Sequence, residues 1–157
     1  MDKSVALPYF AGVVDSDGCI AIVKRSSGYS IQYSECVRVA QVERNAIDLL
    51  FNAFGGRIRI VQNGGNRKPL FEWRAQATVA YRAIKEIEPY LTIKRDRAIN
   101  CMKLRQLLEE SERETRGKGM FRERSLKLML KMELLYLKSR ELNGSLTIKE
   151  NNYDTES

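Results

Sequence analysis

Two acidic residues separated by one position offer the clearest chemistry in this sequence. Asp15 and Asp17 flank Ser16 and precede Gly18, directly after an apolar run over residues 7–14. Carboxylate oxygens are the ligands that hard divalent cations such as Mg²⁺ prefer. The same residues also suit a polar turn, because Asp, Ser and Gly are common turn formers. A calcium-binding EF-hand loop is excluded, since apolar residues follow where oxygen ligands should continue.

The remaining composition restricts the possible catalytic groups. The chain contains no histidine, which excludes Cys/His zinc sites and nucleophiles activated by histidine. Cys19, Cys36 and Cys101 are too widely spaced to indicate a disulfide framework, so we expect reduced, structural thiols. Catalysis would therefore depend on carboxylates, lysine, amides or a metal ion.

Length and charge favour one domain with a polyanionic partner. The chain has 157 residues and a formal net charge of +7, from 27 basic and 20 acidic side chains. Nucleic acid is favoured over an anionic membrane surface. We expect a soluble intracellular protein, because the sequence has neither an apolar run of roughly 18 to 20 residues nor a secretory signal pattern.

The elements that would position these groups alternate between helices and strand pairs. The predicted order is αββαββα: a helix at 7–14 with Pro8 in its first turn and its end at 15–18, strands at 19–23 and 31–41, a helix at 45–54, strands at 57–62 and 70–75, and a helix capped by Thr78 and ended by Pro89. Turns are predicted at 26–28 and 63–66.

Two longer helices are predicted to complete the chain, at about 96–114 and 122–142. The sequence thus indicates an α+β protein with a single domain over 1–144. Its core would span about 7–100, and the two additional helices would follow it. Residues 145–157 are expected to form a flexible tail.

Alternation along the strands predicts one apolar and one polar sheet face. The face toward the helices would carry Val37, Val39, Ile58, Ile60, Phe71 and Trp73. The opposite face would carry Arg25, Gln32, Ser34, Arg38, Arg57, Arg59, Glu72 and Arg74, with Arg67 and Lys68 near the second turn. Arginine, glutamine and glutamate can all recognise base edges, so this face is a candidate DNA-binding surface. The alternative is an ordinary solvated face.

Residues 10–18, FAGVVDSDG, resemble the nine-residue signature of the LAGLIDADG homing endonucleases, with five identical positions. The resemblance extends through the αββαββα order over residues 7–100, and it implies a saddle-shaped antiparallel sheet. Because Ala11 and Gly12 lack bulk, they would let a second helix approach closely. Asp15 would lie at the end of that interface. With a single motif in the chain, the family pattern implies a homodimer.

The resemblance also implies residue roles. Asp17 would bind Mg²⁺ beside the scissile phosphates, with the main-chain carbonyl of Ser16 as an accessory ligand. Gln41 would orient water, and Lys94 would place positive charge near the phosphate. Whether Asp15 touches metal or orders the turn through backbone hydrogen bonds is left open.

The function implied is cleavage of both strands of a long, nearly palindromic double-stranded DNA site, leaving 3′ overhangs and promoting the spread of an intron or similar element. Two alternatives remain on the same scaffold. One is an RNA maturase that assists intron splicing, which would make RNA a partner. The other is a noncatalytic DNA-binding regulator.

Overall fold

A four-stranded antiparallel sheet carries the helices on one of its faces. The computed structural model describes residues 2–62, 64–116 and 125–144. Within these ranges the elements are α1 Lys3–Asp17, β1 Gly18–Ser27, β2 Ser30–Gln41, α2 Arg44–Phe54, β3 Arg57–Val61, β4 Leu70–Gln76, α3 Ala77–Ile87, a 3-10 turn Glu88–Tyr90, α4 Arg95–Thr115 and α5 Leu126–Leu142. The predicted α+β class and αββαββα order are confirmed, as are the two additional helices.

Several predicted boundaries were wrong. α1 begins at Lys3, where the Asp2 side chain accepts a hydrogen bond from the Ser4 N–H, so Pro8 lies inside the helix. Asp17 ends α1, and the acidic motif is therefore its last turn. β1 continues to Ser27 because the hairpin turn is shorter than predicted.

Two further differences concern α3 and the C-terminal part of the chain. α3 follows β4 directly at Ala77, so Thr78 is not its cap. The predicted start of α5 at 122 and the predicted tail at 145–157 lie outside the described residues. The division into a single domain stays a prediction.

The sheet has the strand order β1-β2-β4-β3, so the second strand of each hairpin is central. Val39 of β2 faces Trp73 of β4, and both side chains are buried beneath the helices. The predicted apolar face is confirmed for Val37, Val39 and Trp73. The prediction that Ile60 belongs to this buried face is wrong, because its side chain is 58% exposed on the edge strand β3. Ile58 and Phe71 are half-buried, because the helices cover the β3 edge incompletely.

A glycine pair sets the position of β3 against β4. Gly55 ends α2 with φ of +79°, and its carbonyl accepts a hydrogen bond from Trp73 Nε1 at 2.8 Å. Gly56 has φ of +96°, and a Cβ atom there would lie 2.6 Å from the Arg74 carbonyl oxygen. A side chain at Gly56 would therefore force the two strands apart.

The C-terminal end of α5 covers the outer edge of β1. Ser139 Oγ accepts a hydrogen bond from the Ile22 N–H at 2.9 Å, and Asn143 Nδ2 donates to the Ile20 carbonyl at 3.1 Å. Lys24 of β1 and Tyr33 of β2 both bind Glu133 on α5. No described helix is long and apolar enough to span a membrane.

A buried ion pair attaches α4 to the sheet. Arg105 donates from Nε and from a terminal nitrogen to the two carboxylate oxygens of Glu35, at 2.8 and 2.6 Å. Glu35 has no exposed surface, and burial raises the pKa of its carboxyl even though Arg105 opposes the shift. The ionised form is thus favoured less in the folded state than in the unfolded chain.

We expect Arg105→Met to destabilise the fold by about 3 to 5 kcal/mol near pH 7.5, because it leaves a buried carboxylate unpaired. A carboxyl with a raised folded-state pKa contributes stability below its unfolded pKa and loses it as pH rises through the folded pKa. The penalty should therefore shrink as pH falls toward 4.5. Urea unfolding at both pH values measures it, and an equal loss at both would contradict this account.

Candidate functional site

The end of α1 meets the end of β2, bringing two of the predicted site residues together. Gln41 Nε2 donates a hydrogen bond to Asp17 Oδ2 at 2.7 Å. The Asp17 side chain is exposed, and Gln41 is half-buried. The amide therefore holds the carboxylate in one orientation while leaving it open to a ligand from solvent.

Asp15 is bound by the main chain of its own polypeptide. Its carboxylate accepts hydrogen bonds from the N–H groups of Thr92, Ile93 and Lys94 at 2.7, 3.2 and 2.9 Å. Burial raises the pKa of Asp15, but these hydrogen bonds and the Lys94 charge outweigh it, and the net pKa is lowered. Asp15 thus joins the end of α1 to the segment before α4, and its role toward a metal ion stays a prediction.

Lys94 lies against the C-terminal end of α1. Its ammonium donates to the main-chain carbonyls of Val14 and Asp15 at 2.8 and 2.6 Å, and the residue is only 8% exposed. A cation is favourable at a helix C-terminus, where unpaired carbonyls concentrate partial negative charge. Burial, followed by the nearby charge of Arg97, lowers the pKa of Lys94.

The donor set at the end of α1 suits a hard cation but is incomplete in one chain. Asp17 supplies an exposed carboxylate, and the Ser16 carbonyl belongs to the last helical turn, while Ser16 Oγ donates to the Val13 carbonyl. Oxygen donors of this kind match Mg²⁺. The described residues contain no group of three or more His, Cys, Asp or Glu side chains placed to hold a metal. A cation held by Asp17 and the Ser16 carbonyl would keep coordination positions for water or other oxygen donors.

The polar face of the sheet has the predicted composition. The register places Arg38, Arg74 and Arg57 in one row across β2, β4 and β3. The remaining predicted residues occupy other rows of this face or the connection between β3 and β4: Arg25, Gln32, Ser34, Arg59, Glu72, Arg67 and Lys68. Ser34 and Arg74 are half-buried, Glu72 is buried, and the others are exposed.

Hydrogen bonds order part of this face. Arg59 Nε donates to Glu72 Oε1 at 2.6 Å, and Arg25 donates to Gln76 Oε1 at 3.0 Å. Arg74 Nε and Gln76 Nε2 are buried without a hydrogen-bond partner within the described ranges. Sequence reasoning missed Gln76 because it ended the strand at Ala75, although continued alternation would have placed it on this face.

The predicted small-residue surface of α1 needs one correction. Ala11 has no exposed surface and packs inside the chain's own core. The outward stripe instead contains Val5, Pro8, Tyr9, Gly12 and Ser16. A Cβ atom at Gly12 would meet nothing within 4 Å, so this glycine leaves open space beside the helix.

Solved structures with the same architecture establish the fold. No protein-family model matches the sequence, and no curated protein matches it. The homing endonuclease I-CvuI, solved with the I-CreI target, aligns with a TM-score of 0.70 at 20% identity, over 89% of this chain and 83% of that one. The archaeal intron-encoded homing endonuclease I-Vdi141I, complexed with DNA, aligns with a TM-score of 0.66 at 10% identity. The alignment covers 96% of this chain and 98% of that one.

This chain has the LAGLIDADG homing-endonuclease fold. The fold suggested by the sequence motif is thereby confirmed. Another homing endonuclease, I-TnaI, aligns over 90% of this chain and 95% of its own, with a TM-score of 0.56 and 15% identity. In the LAGLIDADG fold of this chain, residues 10–18 form the last part of α1 and the first residue of β1. The motif therefore ends where the helix meets the sheet.

Proposed function

We propose that this chain is a homing endonuclease that acts as a homodimer. It cleaves both strands of a long, nearly palindromic DNA site with divalent metal ions, leaves 3′ overhangs and promotes homing of an intron or similar element. The observation that carries the proposal is the exposed Asp17 carboxylate, oriented by Gln41, in a chain whose sheet also carries an arginine-rich face.

Solved structures of two proteins with this fold support the proposal, because they were determined as complexes with DNA. I-CvuI was solved with DNA in the presence of Mg or Ca, and I-Vdi141I was solved with DNA. For this chain we take double-stranded DNA as substrate and Mg²⁺ as cofactor. The net charge of +7 agrees with a polyanionic partner.

At the cleavage site, Asp17 and the Ser16 carbonyl would hold Mg²⁺. The bound ion would polarise a phosphate and favour the hydroxide form of a nearby water. Gln41 keeps the Asp17 carboxylate oriented through the 2.7 Å hydrogen bond. The amide oxygen of Gln41 is then available to accept a hydrogen bond from water. Lys94 keeps positive charge beneath the last turn of α1.

Two copies of the chain are needed to complete the site. Each chain contributes one Asp17, and a two-fold axis would bring two such carboxylates together beside the metal ions. The uncharged stripe of Val5, Tyr9, Gly12 and Ser16 leads along α1 toward Asp17, so pairing of two α1 helices would juxtapose the sites. Gly12 would permit close approach of the helices.

The sheet face would recognise the DNA sequence in the major groove. Arginine can donate two hydrogen bonds to guanine, and glutamine can bind adenine in a comparable way. Arg74 Nε and Gln76 Nε2 are buried without a partner among the described residues, so ordered water or a side-chain rearrangement on DNA binding would have to satisfy them. Each subunit would read one half-site.

Asp17→Asn should abolish cleavage while retaining binding, because it removes the ligand charge but leaves the sheet face intact. A partly randomised palindromic DNA library is incubated with Mg²⁺ and either protein, and the broken ends are sequenced. We expect breaks with 3′ overhangs for the wild type only. Cleavage by the variant would reject Asp17 as the metal ligand, whereas specific binding without cleavage by either protein would favour a maturase or regulator.

Arg38→Ala should weaken binding of the selected site by about 1 to 3 kcal/mol if Arg38 contacts a base. Its matched control is Arg113→Ala, which removes the same charge from an exposed position in the last turn of α4. Fluorescence anisotropy with Ca²⁺ measures affinity for the selected site and for single-base variants. Equal affinities for the two variant proteins would argue against a role of Arg38 in recognition.

Gly12→Leu should shift the protein from dimer to monomer, because the added side chain fills the space between paired helices. The monomer should remain folded, since glycine costs about 1 kcal/mol at an exposed helical position. Sedimentation velocity measures the change, with Gln106→Leu on exposed α4 surface as control. A dimer that persists in Gly12→Leu would exclude α1 pairing.

A further inference from the structure

Asp15 and Lys94 form reciprocal contacts, because each side chain binds main-chain groups at or next to the other residue. The Asp15 side chain takes three consecutive N–H groups at 92–94, and the Lys94 side chain takes the carbonyls of Val14 and Asp15. We infer that this pair, the Asp15–Lys94 clamp, positions Asp17 for catalysis, and that neither residue itself touches the DNA phosphate or the metal. The inference rests on the proposed endonuclease function.

The Asp15 carboxylate is already occupied by its own chain. Oδ2 accepts from Thr92 and Ile93, and Oδ1 accepts from Lys94. Three N–H donors directed at one carboxylate form a backbone anion site whose occupant is the side chain itself. Binding a cation through Asp15 would require these hydrogen bonds to break. Asp17, two residues later, has no such main-chain donors among the described residues.

The Lys94 ammonium is directed into the end of α1. Two of its protons go to main-chain carbonyls at 2.8 and 2.6 Å, and the residue is 8% exposed. In this arrangement it is a C-terminal helix cap supplied by a distant part of the chain. Its ammonium therefore fixes the carbonyls of the helical turn that leads into Ser16 and Asp17.

Because each side chain holds the other's backbone, losing one should release both. The segment 92–94 leads directly into α4, and Leu91 before it is buried. With the clamp intact, the turn that carries Ser16 and Asp17 is fixed to the start of α4. Without it, that turn is still held by the buried Val14, by its continuation into β1 and by the Gln41 hydrogen bond, but it loses its direct link to the start of α4.

A double-mutant cycle tests the clamp. Asp15→Asn replaces one carboxylate oxygen by an amide N–H, so at least one of the three N–H donors loses its acceptor. Lys94→Met removes the ammonium at similar side-chain length. In urea unfolding without DNA or metal, the free energy of unfolding of the double variant should be no lower than that of the less stable single variant. The matched control cycle is Lys3→Met with Glu86→Gln, an exposed ion pair that joins α1 to another part of the chain, helix α3. Its two losses should be small and additive.

Cleavage and binding are then measured on the same proteins. Single-turnover cleavage should fall by roughly 100-fold in both single variants and the double variant alike, as expected for misplacement of about 1 Å. DNA affinity with Ca²⁺ should stay unchanged. The inference would be overturned if the losses of cleavage rate multiply in the double variant and Lys94→Met cleaves far more slowly than Asp15→Asn. Lys94 would then be a phosphate contact.

Two other outcomes separate the inference from the proposed function. If Asp15→Asn abolishes cleavage as completely as Asp17→Asn while its stability is unchanged, Asp15 is a ligand and the clamp is rejected. If the wild type does not cleave any DNA, the proposed function fails, yet the stability cycle still decides whether the clamp exists. Additive stability losses in that cycle would reject the clamp regardless of activity.

Discussion

The alternation of side chains along four strands is the constraint on which the other features depend. A shift of one residue in the pairing would exchange the two faces of a strand. Val39 and Trp73 would then leave the core, and Arg38 and Arg74 would enter it beneath the helices. Burying unpaired guanidinium groups is too costly to tolerate. The register that builds the core is thus the register that arranges the basic face.

The end of α1 depends on this register in turn. The register of β2 determines the side of the strand on which Gln41 lies, and only the observed side lets its amide contact Asp17. The chain turns from α1 into β1 at Gly18. A Cβ atom at Gly18 would lie 2.7 Å from the Val14 carbonyl oxygen, which is also the acceptor for Lys94. Gly18 therefore belongs to the acidic motif for a packing reason, because only glycine leaves this helix end accessible.

Features that repeat along the chain were predictable from sequence, whereas long-range contacts were not. Period-two alternation identified the arginine face, and the motif identified the fold. The extra exposure of Ile60 depends on β3 being an edge strand, which composition does not reveal. Ala11 was taken for interface because small residues suit both close helix pairs and tight cores. The Lys94 contacts join residues about eighty positions apart, and no local pattern indicates them.

The cover that α5 provides on β1 also limits how chains can associate. An open strand edge pairs readily with another strand, which leads to sheet extension and aggregation. Ser139 and Asn143 bind outward-facing backbone groups of Ile22 and Ile20, so these groups are not free to pair with a strand from another molecule. At the opposite edge, β3 carries the exposed charges of Arg57 and Arg59, which repel a like strand. Both edges of the sheet are thereby protected against pairing with a strand of another molecule.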